Sequence, residues 1–211
     1  MQEKLLAPGG ALDKLAAMDQ DIAEALIRFG PPPDRSLPAS FETLARSILG
    51  QQISRAAASS IWNRMCEQNC SAASVIAQKA PDDLMTLGLS RRKAEYLIGV
   101  ANEIESGRLD LTSLKNMTGS DVQQCLMEIR GIGAWTADNF RLFALGDMDA
   151  WPANDLALQE GMKRLKNLVK RPSGNDLFLL GDAWRPFRGA GALMLWHIYG
   201  ILVRKVTIDE V

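Results

Sequence analysis

Apolar residues recur through most of this chain at the three- and four-residue intervals of an α-helix, and the alternation of a half-buried strand is nearly absent. That periodicity points to an all-α fold of many short helices. Leu12, Leu15, Ile22, Leu26 and Ile27 mark the apolar face of a first helix, ended by Gly30 and the Pro31-Pro32-Pro33 run. Residues 30–38 (GPPPDRSLP) read as a stiff linker and the clearest break in composition. Ser40 and Ser54 read as N-caps of the next two helices. Pro81 opens a short helix with Asp82 and Asp83 at its positive end, closed by Gly88, and Ser90 caps a longer one that stops at Gly107. Ser120 is expected to start another, with Val122, Leu126 and Ile129 on one face. After Arg130-Gly131-Ile132-Gly133 the chain re-enters a helix from Ala134 to Leu145, and helices over Asp155–Leu168 and Gly189–Lys205 complete the set. The expected organisation is an N-terminal helix and Pro-rich linker (1–38) packing with the C-terminal lobe, a helical domain (39–149) holding a helix pair at about 120–145, and a C-terminal helical lobe (150–211).

With 211 residues, 47% of them hydrophobic, the chain can bury about 70% of its unfolded surface and needs no staples. Lys and Arg total 24 against 25 Asp and Glu, a net charge of -1 that excludes a strongly basic coat protein. Three cysteines, Cys66, Cys70 and Cys125, cannot build a disulfide framework and suit a reducing compartment. Cys66 and Cys70 could share a helical face, but with no second pair they read as small buried apolar residues rather than metal ligands. The single histidine, His197, excludes any site needing two imidazoles. With no signal-like N-terminus and no run of about 18 apolar residues, the expectation is a soluble, cytoplasmic protein, nucleoid-associated if bacterial.

The stretch Leu126–Leu158 carries the most chemistry. Gly131 and Gly133 sit between two helices, where missing side chains permit a tight turn and a close ligand, and the next helix offers free N–H groups and its positive end. Such a hairpin is an ordinary glycine turn or a grip on phosphate through backbone alone, which fixes position on DNA without reading sequence. Trp135 and Thr136 fall in the first turn of the next helix. Downstream, in Trp151-Pro152-Ala153-Asn154-Asp155, Pro152 biases its predecessor towards extended backbone, and Asn154 or Asp155 can cap the helix that follows. A capping carboxylate is also ionised and fixed in direction, as an electrostatic catalyst must be.

The hairpin Leu126–Gly133, the segment Trp135-Thr136-Ala137 and Asp155 resemble the helix-hairpin-helix DNA glycosylases, whose motif ends in an aspartate. More closely they resemble the alkylbase branch, the DNA-3-methyladenine glycosylase II proteins. Phe41–Ser54 (FETLARSILGQQIS) is similar to the family's early helix and the loop that enters DNA, and Trp184-Arg185-Pro186-Phe187-Arg188 with Trp196 is similar to its C-terminal signature. The resemblance runs from Phe41 to Tyr199. It implies a two-lobed helical fold with the active site in the cleft between the lobes. The activity implied is a monofunctional glycosylase of base excision repair, which flips a nucleotide out of duplex DNA and hydrolyses its N-glycosidic bond. Alkylated purines of the 3-methyladenine and 7-methylguanine type are the implied substrates. Glycosylases for oxidised or deaminated bases, and non-catalytic hairpin DNA-binding proteins, are the alternatives.

The same resemblance assigns Asp155 as the essential carboxylate. Trp135 stands where glycosylase/lyase relatives carry a Schiff-base lysine, which implies hydrolysis without strand cleavage. Trp135 and Trp196 would line the pocket and attract a cationic base by cation–π contact, though Trp196 also has the spacing of a core aromatic. Asn139 joins the expected pocket and departs from the aromatic often found there in relatives. Gln52 matches the residue that plugs the gap left by the flipped base, or is a solvated loop glutamine; Ser54, Gly131, Gly133 and Thr136 are further expected DNA contacts. The family's hairpin binds a monovalent cation through carbonyls, here those of Met127, Ile129 and Ile132, so Na+ or K+ is implied there. No other cofactor is required, and the iron–sulfur cysteines of some relatives are missing from the C-terminus. The expected partner is duplex DNA containing alkylated bases, met by a monomer away from membranes.

Charge divides unevenly. Residues 150–211 carry nine basic and six acidic side chains. Lys163, Arg164, Lys166, Lys170, Arg171, Arg185 and Arg188 supply the excess, which suggests a DNA-facing surface with few phosphate contacts and a shallow salt dependence.

Overall fold

The computed structural model describes residues 3–205, and among the described residues there is no strand. In chain order the helices are α1 (Glu3–Leu6), α2 (Ala11–Met18), α3 (Gln20–Phe29), α4 (Phe41–Gly50), α5 (Arg55–Glu67), α6 (Ala73–Ile76) and α7 (Pro81–Met85). They continue with α8 (Arg91–Glu105), α9 (Gly119–Met127), α10 (Ala134–Leu145), α11 (Leu156–Leu165), α12 (Gly174–Gly181) and α13 (Arg188–Leu202), plus 3-10 turns at Ser113–Asn116 and Asp182–Trp184.

The chain forms two compact units, Leu37–Phe140 and a second made of Met1–Ser36 with Arg141–Val211. The division falls inside α10, not at residue 149 as the sequence suggests. Periodicity marks no break there because one uninterrupted helix supplies two cores: Ala137 and Phe140 are buried in its first part, and Leu142 belongs to the core of the second unit.

In the unit Leu37–Phe140, α8 packs against α4, α6 and α7. Its Ala94, Leu97, Val100 and Ala101 are fully buried, as are Leu44, Ile48 and Leu49 of α4, each large aliphatic being worth about 1.5–3 kcal/mol. The hydroxyls of Ser40, Ser54 and Ser90 cap α4, α5 and α8 by accepting from the N–H three residues on. The cap of α9 is Thr118 rather than Ser120. Thr118 Oγ1 accepts from the Asp121 N–H at 3.2 Å and donates to the Asp121 carboxylate at 2.7 Å, a reciprocal pair that Ser120 does not form. Cys66 is exposed on α5, while Cys70 lies buried beyond the helix end, so the two do not share a helical face.

The second unit is built around α13, which packs on α11 and also meets α2 and α3. A Cβ at Gly161 would stand 2.4 Å from the Leu195 carbonyl oxygen; only glycine lets α11 close this far on α13. That crossing brings the N-terminus of α11, and with it Asp155, beside Trp196. The single N-terminal helix expected from periodicity is two helices, α2 and α3, broken at Asp19 in extended conformation. The break re-phases the apolar face onto Ile22, Ala25 and Phe29, leaving Ile27 87% exposed. Helices α11 and α13 end at Leu165 and Leu202, short of the expected Leu168 and Lys205. Helix α12 buries Leu177 and Gly181 but leaves Phe178 and Leu179 exposed, so its apolar run shows no helical period in the sequence.

Candidate active site

Two constellations, one in each unit, contain the candidate residues. In Leu37–Phe140 the hairpin joins α9 to α10. Gly131 adopts φ +101°, and a Cβ there would lie 2.3 Å from Cγ of Tyr96. Glycine is demanded at this position by the protein itself. Gly133 differs: it is exposed, and a Cβ there would meet nothing within 4 Å. The space before it lies at the N-terminus of α10, where N–H groups point outward.

The loop between α4 and α5 is tied to this hairpin by a residue that sequence reasoning passed over. Gln51 Nε2 donates to the Gly131 carbonyl at 3.1 Å and reaches Thr136 Oγ1 at 3.3 Å. Next to it Gln52 is exposed with φ 59°, a left-handed conformation uncommon for a non-glycine residue. Lys93 Nζ donates to the Leu49 carbonyl at 2.7 Å, holding the end of α4 just ahead of the loop; burial lowers the pKa of its ammonium. Gln51, Gln52, Arg92, Tyr96, the hairpin glycines and Trp135 line a cleft of about 600 Å³. The Arg92 and Arg130 guanidinium groups both lie over the Tyr96 ring, 5.4 and 5.7 Å from its centroid. No sequence signal marked Arg92 or Tyr96, because their relevance depends on α8 lying under the hairpin.

Three of the expected contact residues have hydrogen-bond partners within this unit. Thr136 is 2% exposed at the wall of the cleft, and its hydroxyl accepts from the Gln51 amide at 3.3 Å. Asn139 is buried and donates its amide to the Trp135 carbonyl at 2.7 Å, bracing the first turn of α10 and not lining the cleft. Ser54, although exposed, spends its hydroxyl on capping α5 at 3.2 Å. Trp135 lines the cleft and is 38% exposed.

The second constellation surrounds Asp155, which caps α11. Its Oδ1 accepts from the N–H groups of Ala157 and Leu158 at 2.9 and 3.0 Å and from the indole N–H of Trp196 at 3.1 Å. Trp196 is half-buried and stacks on Phe143 of α10, centroids 5.3 Å apart with 26° between the planes. The turn ahead of Asp155 is anchored by buried Trp151, whose indole donates to the Leu177 carbonyl at 3.2 Å, and by Gln159 Nε2 on the Ala153 carbonyl at 3.0 Å. Phe143 carries no mark in the sequence that separates it from a core aromatic.

Four of the seven basic residues singled out in 150–211 have acidic partners within their own unit. Lys166 pairs with Asp19 and Asp21, Arg164 with Glu160, Arg185 with Asp149 and Asp182, and the buried Arg188 with Asp149. Composition counts these charges but does not show which of them an acid faces, while Lys170 and Arg171 stay exposed.

A family model, HhH-GPD superfamily base excision DNA repair protein, matches residues 45–185. The chain belongs to this superfamily, and its helical fold is that of the helix-hairpin-helix glycosylases. It is 30% identical to the DNA-3-methyladenine glycosylase of Bacillus subtilis over 77% of its own length, and spans 58% of that relative. Among solved structures it is similar to the 3-methyladenine DNA glycosylase Mag1 of Schizosaccharomyces pombe in complex with abasic DNA, with a TM-score of 0.80, 26% identity and coverage of 94% and 98% of the two chains. It is likewise similar to the DNA-3-methyladenine glycosidase of Bacillus halodurans, with a TM-score of 0.79, 32% identity and coverage of 95% and 94%. No helix among the described residues is long and apolar enough to cross a membrane.

Proposed function

We propose that this protein is a base excision repair glycosylase that releases alkylated purines from duplex DNA by hydrolysis. The carrying observation is Asp155, a carboxylate held by three N–H donors beside a stacked aromatic pair, in a chain of this superfamily. The relatives named above are 3-methyladenine glycosylases, which supports the substrate class.

Flipping exposes the N-glycosidic bond, and its cleavage develops positive charge on the sugar. An ionised carboxylate about 4 Å away contributes about 4 kcal/mol at an effective dielectric of about 20, or roughly three decades of rate if felt only in the transition state. A 3- or 7-alkylated purine is already cationic and leaves without a strong general acid. One carboxylate with aromatic surface is therefore chemically sufficient. On the DNA side, exposed Gln52 serves as the plug, and the open backbone at Gly133 receives a phosphate at the positive end of α10.

Trp135 offers no amine, so the reaction proceeds by water and leaves the strand intact. Borohydride should trap no covalent adduct between protein and substrate DNA. The hairpin carbonyls of Met127, Ile129 and Ile132 are hard oxygen donors suited to Na+ or K+. The Ile129 carbonyl already accepts from the Ile132 N–H at 3.0 Å, which leaves one lone pair for an ion. Such an ion would add fixed positive charge to the hairpin. The deciding experiment incubates methylated duplex DNA with the protein and with Asp155→Asn. Release of 3-methyladenine that falls about 1000-fold in the variant supports the assignment. Equal release by both overturns the role of Asp155. Release of uracil or an oxidised base with methylpurines untouched overturns the substrate class, and no release at all favours a binding-only protein.

A further inference from the structure

We propose that Trp196 is a positioning residue for Asp155, acting through its indole N–H as well as any contact its ring makes with a base. This rests on the proposed role of Asp155. A capped helix needs only the two backbone donors that Asp155 already receives from Ala157 and Leu158. Both come from the first turn of α11 itself. The third donor comes from α13, 41 residues away in sequence, and meets the same oxygen from another direction. Three donors on Oδ1 from two helices fix the carboxylate plane before any substrate arrives, the preorganisation that electrostatic catalysis requires.

The indole is itself restrained. Its ring stacks on Phe143. Pro32, Pro33 and Leu193 line a small gap against Trp196 and His197. His197, the next residue, is 1% exposed and its Nε2 lies 3.0 Å from the Phe29 carbonyl, just ahead of the proline run. The proline segment and α13 are thus joined at the residue beside Trp196. An indole held in this way delivers its N–H to one place, whereas a mobile tryptophan would follow the carboxylate. The glycine at 161 that lets α11 approach α13 belongs to the same device.

The test replaces Trp196 in the full chain with 3-benzothienylalanine, which keeps the ring system and its stacking but carries sulfur in place of N–H. The expected result is a single-turnover rate of methylpurine release about 10- to 100-fold lower, with half-saturating DNA concentration unchanged. Trp196→Phe should show the same split between rate and binding. An isostere as fast as the parent overturns the inference, since a tryptophan that merely fills space or stacks on the base would not miss its N–H. Indole ¹⁵N–¹H spectra give a readout independent of turnover. The Trp196 resonance should move upfield and exchange faster with solvent in Asp155→Ala, and an unmoved resonance likewise overturns the bond. A parent protein inert on methylated DNA sinks the substrate reading instead, and the indole resonance then still decides whether Trp196 holds Asp155.

Discussion

The second unit contains two tryptophan–aspartate pairs built on one plan. Asp19 caps α3 and Asp155 caps α11, each taking two backbone N–H groups on one oxygen and an indole N–H from a distant tryptophan. Their surroundings differ. Asp19 also receives the Lys166 ammonium at 2.6 and 2.8 Å, and its tryptophan, Trp184, is 2% exposed in the core. Burial works to raise the Asp19 pKa, but the hydrogen bonds from Lys166 and Trp184 outweigh it and hold the carboxyl below its ordinary value. Trp196, by contrast, is half-buried against a half-buried Phe143. A capping aspartate closed off by a cation and a core tryptophan is a structural knot. Asp155 is the same kind of cap set against a half-buried aromatic pair instead of a core tryptophan.

The comparison is sharpest in activity. Asp155→Asn should lose about three decades of methylpurine release while its unfolding free energy changes by less than about 0.5 kcal/mol, since asparagine caps as well as aspartate. Asp19→Ala should do the reverse. It strands the Trp184 indole, leaves Lys166 with Asp21 alone of its two aspartates and removes a cap, costing about 2–4 kcal/mol in a denaturant titration, with turnover unchanged at temperatures where the variant stays folded. Loss of release in Asp19→Ala under folded conditions would break the division between the two pairs.

The hairpin glycines extend this contrast to the other unit. Gly131→Ala drives a Cβ into Tyr96 at a positive φ and should destabilise by about 2–3 kcal/mol. Gly133→Ala should leave stability within about 0.5 kcal/mol and weaken DNA binding by about tenfold, roughly one lost backbone contact to a charged group. Equal thermal midpoints for the two variants would remove the distinction.

The smallest effect is in pH. Because the Asp19 pKa is depressed in the folded state, its contribution is present above the unfolded carboxylate value and is lost as pH falls through the lower folded value. The stability gap between the parent and Asp19→Ala should therefore narrow as a titration passes below the ordinary carboxylate range. A gap that widens on acidification would contradict the Lys166–Asp19 assignment.

Much of the local architecture was legible in the sequence. Ser40, Ser54, Ser90 and Asp155 announce helix starts through side-chain chemistry that reaches only three residues. The Gly131–Gly133 hairpin and Asp155 stood out by motif. Asp19 was not legible as a break, because the apolar period runs through it and its partners Lys166 and Trp184 lie more than 140 residues away. Gln51 was hidden beside the more suggestive Gln52, and its value depends on where the hairpin lies.

The sequence alone determined the helical class, the caps and a hairpin with a downstream carboxylate, all encoded in side chains within a turn or two of one another. Tertiary structure decided what that carboxylate meets. Only the close crossing of α11 on α13 at Gly161 puts the Trp196 indole on Asp155, and only folding shows Lys166 set on Asp19 and Arg188 buried on Asp149. Periodicity and capping are short-range and survive in one dimension. Which distant groups share an oxygen or cancel a charge is set by helix packing, and no local pattern records it.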